Sequence, residues 1–351
     1  MAKKRITIKD IAKEAGVSIG TVDRVIHKRG EVAESTRKLI EMLTTKYEYK
    51  PNFLARALTT NSSFNIGVLI PQSEDVNGYW KGYEEGIRQR AFSLEVYSVR
   101  VTFFKFDINS AKDFARASRE LVETYVDGAI IAPLYEKEAH KLIDNLESSN
   151  IQYVLIDTDI TTSKALCFVG EDAYQSGRLA ASVVDFGVPV TSDILMVNYV
   201  NGHDNQHHIV LRNEGFKSYF MDLGNNNGMC ISVSVPEVNF EATKVRLDVV
   251  FKKCPNLGAI WVSGMNAYLV AQYLESINRR DIVVVGHDLY EPNFEYLKRN
   301  YIKFIIAQKS EEQGVKAMNV LFSYITEHKH PIRNDYQKVE IVNSENIRFY
   351  L

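Results

Sequence analysis

Cysteine is scarce in this 351-residue chain, with only Cys167, Cys230 and Cys254. Three thiols at that spacing frame neither a disulfide scaffold nor a zinc site, and they point to a reducing compartment, the cytoplasm. Long apolar runs are missing too, and none approaches the roughly 20 residues that span a bilayer. Met1-Ala2-Lys3-Lys4-Arg5 runs straight into a polar amphipathic segment, without the apolar stretch of a secretory signal. No membrane partner is expected. Ile70-Pro71-Gln72-Ser73-Glu74 lacks the glycines of a dinucleotide loop. Neither a nucleophile elbow nor a His-Glu-x-x-His motif occurs, so no enzyme, cofactor or metal is expected. The histidine cluster His203, His207, His208 reads either as metal ligands or as a polar loop and helix start at the rim of a cleft. The second reading asks less of the geometry.

Hydrophobic residues make up 45% and charged residues 25%, the balance of a globular chain long enough for two or three domains. The charge is unevenly placed. Residues 1–60 carry 13 Lys or Arg against 7 Asp or Glu, a net +6, while residues 61–351 carry 29 against 37, a net −8. A basic head on an acidic body fits a small nucleic-acid surface attached to a larger domain with no use for DNA.

The head follows helix-turn-helix grammar. Thr7 is placed to cap a first helix, and Asp10 to return the bond. Ile8, Ile11, Ala12 and Ala15 share one face, Gly16 ends the helix, and Ser18 caps the next. The second helix buries Val22, Val25 and Ile26 and leaves Ile19, Gly20, Asp23 and Arg24 on its other faces, as a recognition helix does. A third helix, about 34–46, presents Leu39, Ile40 and Leu43 as its apolar stripe. Asn52, after Pro51, caps a short helical piece, 53–58, too short to be stable alone. That piece is either a tether or a segment that folds on DNA and wedges apolar residues into the minor groove.

Beyond Ser63, near-continuous apolar strands alternate with helices, and the alternation restarts near Ala165. This is the signature of parallel sheets covered on both faces, here in two similar halves with a cleft at the carboxyl ends of the strands. The expected fold class is α/β, a bilobed body behind a helical head. The expected divisions are a head at 1–50, a hinge at 51–63, a first lobe at 64–161 with 291–328, and a second lobe at 162–290 with 329–351.

Three stretches, TIKDIAKEAGVS followed by TV-x-RV (7–25), YKPNFLARAL (49–58) and IGVLIP (66–71), resemble the lactose/galactose repressor family, over essentially the full chain. The resemblance implies a periplasmic sugar-binding fold for the body and a homodimer on a pseudo-palindromic double-stranded DNA operator. It implies a DNA-contacting set of Thr7, Ser18, Ile19, Gly20, Thr21, Arg24, Asn52, Ala55 and Leu58. Leu58 stands where the family wedges a leucine into the central base step. Arg24 reads either as a base contact or as a phosphate contact. Asp23 replaces a Ser and Ala33 a capping Ser. For a small-molecule effector, a sugar or derivative, the resemblance picks out Tyr79, Trp80, Asp159, Arg212, Asn266, Asp288 and Gln308. Rings would cover C–H surfaces, while Asp, Asn, Gln and Arg bond hydroxyls. The alternatives are core packing for Trp80 and a plain ion pair for Arg212 and Asp288. The implied function is ligand-responsive repression of carbohydrate genes, and the rival is a sugar-binding protein without DNA function.

Overall fold

Ile11, Ala12, Val22, Val25, Ile40 and Leu43 meet in the core of the first compact unit, a three-helix head. The computed structural model describes residues 8–26, 32–47, 63–72, 78–199, 207–224 and 230–350. Helix α1 spans Ile8–Ala15, α2 Ile19–Ile26 and α3 Glu34–Lys46. Gly16 turns the chain out of α1 with φ 68°, and the Val17 N–H reaches back to the Ala12 carbonyl at 3.0 Å. Ser18 Oγ accepts from the Thr21 N–H at 3.1 Å, the capping bond that starts α2. Ala33 stands at the start of α3 without a side-chain cap. The buried line of α3 runs through Ile40, Leu43 and Tyr47. Leu39, expected in the stripe, is 37% exposed, since it lies about 100° around the helix from Ile40. Glu14 ties α1 to the end of α3, taking the Tyr47 hydroxyl at 2.7 Å and Lys46 Nζ at 3.2 Å. Thr7, Asn52, Ala55, Leu58 and the expected hinge fall outside the described residues.

The second unit begins at Phe64 and holds two six-stranded sheets. The first lobe opens with β1 (Phe64–Pro71), α4 (Tyr79–Ser93), β2 (Val99–Phe106), α5 (Ala111–Glu123), β3 (Gly128–Ile131), α6 (Glu136–Ser148), β4 (Gln152–Ile156) and β5 (Cys167–Glu171). Helix α7 (Ala173–Gly187) then leads to β6 (Asp193–Tyr199), α8 (His207–Asp222), β7 (Cys230–Val235), α9 (Phe240–Lys253), β8 (Leu257–Val262), α10 (Ala267–Ser276), β9 (Val283–His287), α11 (Glu291–Lys298) and β10 (Phe304–Ala307). The chain ends with α12 (Ser310–Glu327), β11 (Asn334–Gln337) and β12 (Glu340–Val342). The sheet orders are β11-β5-β4-β3-β1-β2 and β12-β10-β9-β8-β6-β7, one pattern used twice. All pairings are parallel except β10 with β12.

The chain crosses between lobes at places other than those expected from the sequence. Residues 167–171 were expected to open the second lobe, yet they pair in parallel with β4 in the first sheet. Residues 304–307 were expected in the first lobe and pair with β9 in the second sheet. Residues 334–337 were expected in the second lobe and pair with β5 in the first. The physical reason is that each lobe takes its fifth strand before the chain leaves it. A count of strand–helix repeats cannot see this, because the departing helix looks like any other crossover.

Each departing helix packs on the lobe it enters: α7 against α8, and α12 against α4. Both crossings are backbone-close. A Cβ on Gly177 would sit 1.9 Å from the Arg212 carbonyl oxygen, and one on Gly215 1.9 Å from that of Tyr174. Across the other pair, a Cβ on Gly86 would sit 2.1 Å from the Glu311 carbonyl oxygen. The obstacle in each case is a helix backbone, which moves only as a unit. Gly177→Ala is therefore expected to lower the stability of the body by about 1–3 kcal/mol, the range for overpacking. Urea unfolding followed by Trp261 fluorescence checks this, and an unchanged midpoint contradicts it.

Candidate functional site

The carboxyl ends of the parallel strands deliver polar side chains to the junction of the lobes. Asp157 directly follows β4 in the first lobe, and Asp288 directly follows β9 in the second. Both hold a left-handed backbone, φ 67° and 62°. Asp tolerates that conformation better than most residues, and the bend turns the chain off the end of the strand. Glu171 is the last residue of β5 and is buried, as is His287, the last of β9.

Glu171, His287 and Asp288 belong to one connected cluster, and Asp157 lies beside it. Arg212, on α8 and only 2% exposed, donates from Nε to Glu171 Oε1 at 2.5 Å and from a terminal nitrogen to the Ser263 carbonyl at 2.8 Å. Glu171 Oε2 lies 3.0 Å from His287 Nε2, which is also 3.0 Å from Ser176 Oγ. His287 Nδ1 lies 3.1 Å from Asp288 Oδ1, an ion-pair distance that completes no hydrogen bond. Gln308 donates to Asp288 at 2.9 Å, Gln313 donates to Gln308 at 3.2 Å, and the Tyr83 hydroxyl donates to Gln313. In the first lobe the Tyr79 hydroxyl donates to Asp157 Oδ1 at 2.7 Å. Thr158 Oγ1 meets His208 Nδ1 across the lobes at 2.7 Å.

The proton affinities follow from these contacts. Burial pushes the Asp157 carboxyl up to about 7, only partly opposed by the Tyr79 hydrogen bond and the Arg212 charge. Burial acts in the same direction on Glu171, but Arg212 and His287 more than reverse it and hold Glu171 well below the usual carboxylate range. Asp288 is likewise lowered, burial being outweighed by His287 and Arg212. Burial and Arg212 press His287 downward, while Asp288 and Glu171 lift it above its ordinary value.

The residues singled out from the sequence divide into groups. Arg212, Asp288 and Gln308 join the cluster, and Tyr79, with Asp157 on its hydroxyl, adjoins it through the Tyr83 ring at 5.5 Å. Asn266 is buried at the start of α10, without a side-chain capping bond. Trp80 is 2% exposed and stacks on Tyr83 with centroids 5.4 Å apart, so it is core packing. Asp159 does not enter the cluster: it pairs with Arg333 at 2.9 Å, having turned away two residues past the strand end. Asp157, Glu171 and His287 were missed. The available signal was a titratable residue at the end of an apolar strand, in YVLID (153–157), CFVGE (167–171) and VVVGH (283–287). In the head, Ser18, Ile19, Gly20 and Arg24 are exposed and Thr21 half-buried; Ile19 is 44% exposed and Arg24 Nε donates to the Gly20 carbonyl at 3.3 Å. Among the described residues, no three His, Cys, Asp or Glu side chains gather as a metal site, and no helix is long and apolar enough to cross a membrane.

Asp157 generates a pH prediction. Its folded value, about 7, lies above the unfolded value of about 3.9, so the folded state binds the extra proton between them. Stability from this group therefore falls as pH rises from about 4 to about 7. His287, also raised, acts in the same sense at the upper end. The melting temperature of the body is expected to decline from pH 5 to pH 8, and Asp157→Asn to flatten that decline. A slope that the substitution leaves unchanged contradicts the assignment.

Comparison with known proteins bears on both units. Residues 66–329 match the family described as periplasmic binding protein domain, and residues 7–52 match the bacterial regulatory proteins of the lacI family. The HTH-type transcriptional regulator RegA of Clostridium acetobutylicum is 34% identical over 154 residues, 43% of each chain. The match thus spans under half the length of that relative. The ribose operon repressor of Lactococcus lactis is 25% identical over 330 residues, 92% of this chain and 91% of the relative. In fold, the body resembles a Bacteroides fragilis protein assigned as a LacI transcriptional regulator, with TM-score 0.73, 23% identity, and 83% and 100% of the two chains covered. It also resembles GanP, a glucose-galactose binding protein of Geobacillus stearothermophilus, with TM-score 0.71, 20% identity, and 82% and 99% covered. A capped helix-turn-helix ahead of two such lobes, matched in both parts, gives this chain a lacI-family regulatory domain at residues 7–52 and a body that belongs to the periplasmic binding protein domain family.

Proposed function

We propose that the chain is a repressor of carbohydrate genes that binds a pseudo-palindromic DNA operator as a homodimer and releases or tightens on it when a small sugar-like effector enters the interlobe cleft. The observation that carries this reading is the union, in one chain, of an exposed recognition-helix face with a polar cluster drawn from both lobes. Ile19 offers an apolar contact to a thymine methyl, Gly20 lets the helix approach closely, and Arg24 supplies the long donor. Ser18 and Thr21 stand at the start of the same helix, where hydroxyls and backbone N–H groups face phosphates. Thr7, Asn52, Ala55 and Leu58 complete the proposed DNA-contacting set. One head makes few base contacts, and a symmetric pair doubles them.

Tyr79, Arg212, Asn266, Asp288 and Gln308 form the proposed effector set, with Asp157 added and Asp159 and Trp80 removed. Aromatic, carboxylate, amide and guanidinium groups together suit a polyhydroxylated ring. The named relatives support the substrate class, since they include a ribose operon repressor and a sucrose operon repressor. An effector acts by preferring one lobe arrangement, and operator affinity shifts by no more than that preference.

The test is a gel mobility shift of the full chain on a symmetric operator, found by selection from random duplexes, with a panel of mono- and disaccharides. One sugar is expected to change the operator Kd by about 5–150-fold, the usual span of allosteric coupling. Asp288→Ala is expected to remove that response while leaving sugar-free operator binding intact. Absence of sequence-specific DNA binding under every condition overturns the regulator reading. A response that survives Asp288→Ala overturns the placement of the effector.

A further inference from the structure

The two basic side chains of the cluster, among the described residues, are already engaged. Arg212 gives its Nε to Glu171 and one terminal N–H to the Ser263 carbonyl, and His287 sits between Glu171 and Asp288. Beside these two basic groups stand three carboxyl groups at strand ends, Asp157, Glu171 and Asp288. Glu171 is the one that touches both Arg212 and His287, and it is 3% exposed. Its place in the chain strengthens the point. It ends a first-lobe strand, while Arg212 and His287 belong to the second lobe.

A ligand that enters this set meets positive charge already matched by buried negative charge. A neutral ring loses nothing by that. Arg212 has five N–H donors, two are used, and the remainder can bond hydroxyls beside Asp288 and Gln308. An ammonium group finds the carboxylates of Glu171 and Asp288, with the Asp157 carboxyl at a third strand end. Among the described residues of the cluster, a carboxylate or phosphate finds no basic group without a carboxylate partner, and it adds a buried charge next to Glu171 and Asp288, the arrangement that like-charge repulsion penalises most.

We propose that Glu171 sets the charge class of the effector: by occupying Arg212 and His287 it restricts the cleft to uncharged or cationic polyhydroxylated ligands, sugars and amino sugars, and excludes sugar acids and sugar phosphates. The proposal rests on the cleft being the effector site. Glu171 acts through Arg212 and His287, so it is a positioning residue.

The experiment uses the full chain and calorimetric titration with matched rings: hexoses, hexosamines, hexuronic acids and hexose 6-phosphates of the gluco, galacto and manno series, with pentoses and pentose 5-phosphates beside them. The parent is expected to bind a neutral or amino member at least about a hundredfold more tightly than the acid or phosphate of the same ring, the scale of a like-charge mismatch. Glu171→Gln keeps an acceptor toward Arg212 and removes the charge. It is expected to narrow that ratio to about tenfold or less, weakening the neutral ligand and strengthening the acid. Glu171→Asp keeps the charge and is expected to keep the preference. A purely structural role would weaken both members of a pair alike and leave the ratio untouched, so the ratio is the deciding readout. If Glu171→Gln fails to show a cooperative thermal transition, the parent and Glu171→Asp ratios still decide. A parent that takes the acid or phosphate as tightly as the neutral ring overturns the proposal, as does an unchanged ratio in a folded Glu171→Gln. Either result leaves the cleft as the effector site. Binding that survives Asp288→Ala, or no ring of any charge binding the parent, overturns the effector-site reading and this proposal with it.

Discussion

A buried carboxylate must be paired, and in this protein the pairing of Glu171 joins the two lobes. Glu171 closes β5 in the first sheet, and its partners Arg212 and His287 belong to the second lobe. Removing one member of such a pair leaves an uncompensated charge, a loss of about 3–5 kcal/mol where buried pairs have been broken. The neighbouring architecture keeps the pairing in register. Arg212 is fixed from its backbone side, because Gly177 on α7 packs directly against its carbonyl. His287 is fixed by the strand it ends and by the edge of Trp261, with ring centroids 6.1 Å apart. The charge cluster and the tight helix crossing are two aspects of one junction, since α7 begins two residues beyond Glu171.

Much of the fold was legible in the sequence because its signals are local. Gly16 and Ser18 mark the turn of the head by backbone chemistry that depends on little else, and both act as read. The apolar runs of the body announce strands wherever both faces of a sheet are covered. What the sequence does not carry is which sheet a strand joins. Residues 167–171 read as the start of a new half because the pattern restarts there, and only their pairing with β4 places them in the first lobe. Leu39 shows the same limit on a smaller scale: its spacing to Leu43 suits a shared face, and the packing of Tyr47 on the core turns the helix the other way.

The site was legible by residue type more than by address. Asp157 and Asp159 differ by two positions on one loop, and either could supply a carboxylate to the cleft. The left-handed turn at Asp157 decides between them: it presents Asp157 to Tyr79 and sends Asp159 toward Arg333. Asp288 makes the equivalent turn in the second lobe, so the two halves present a carboxylate each from the same place in the same pattern. Glu171 and His287 were passed over because each ends a strand whose other members are core residues. A titratable side chain at that position is the cheapest clue to a cleft in an open parallel sheet, since the strand's last residue is the first to leave the core.

The pattern of crossings also limits what an effector can do. Three segments link the lobes, between β5 and β6, between β10 and β11, and between β11 and β12. The long helices in two of them, α7 and α12, belong by packing to the lobe they enter, where backbone contact at Gly177 and Gly86 resists sliding. Rotation of one lobe on the other about the short stretches beside the strand ends is the motion that would spare both cores. Those stretches include Glu171–Asp172 and Gln308–Lys309, so members of the polar cluster sit where the chain passes between the lobes. On the proposed effector reading, a ligand that bonds Gln308 and Asp288 would act beside these crossings. A ligand that bonded only one lobe would gain nothing from closure and could shift no equilibrium.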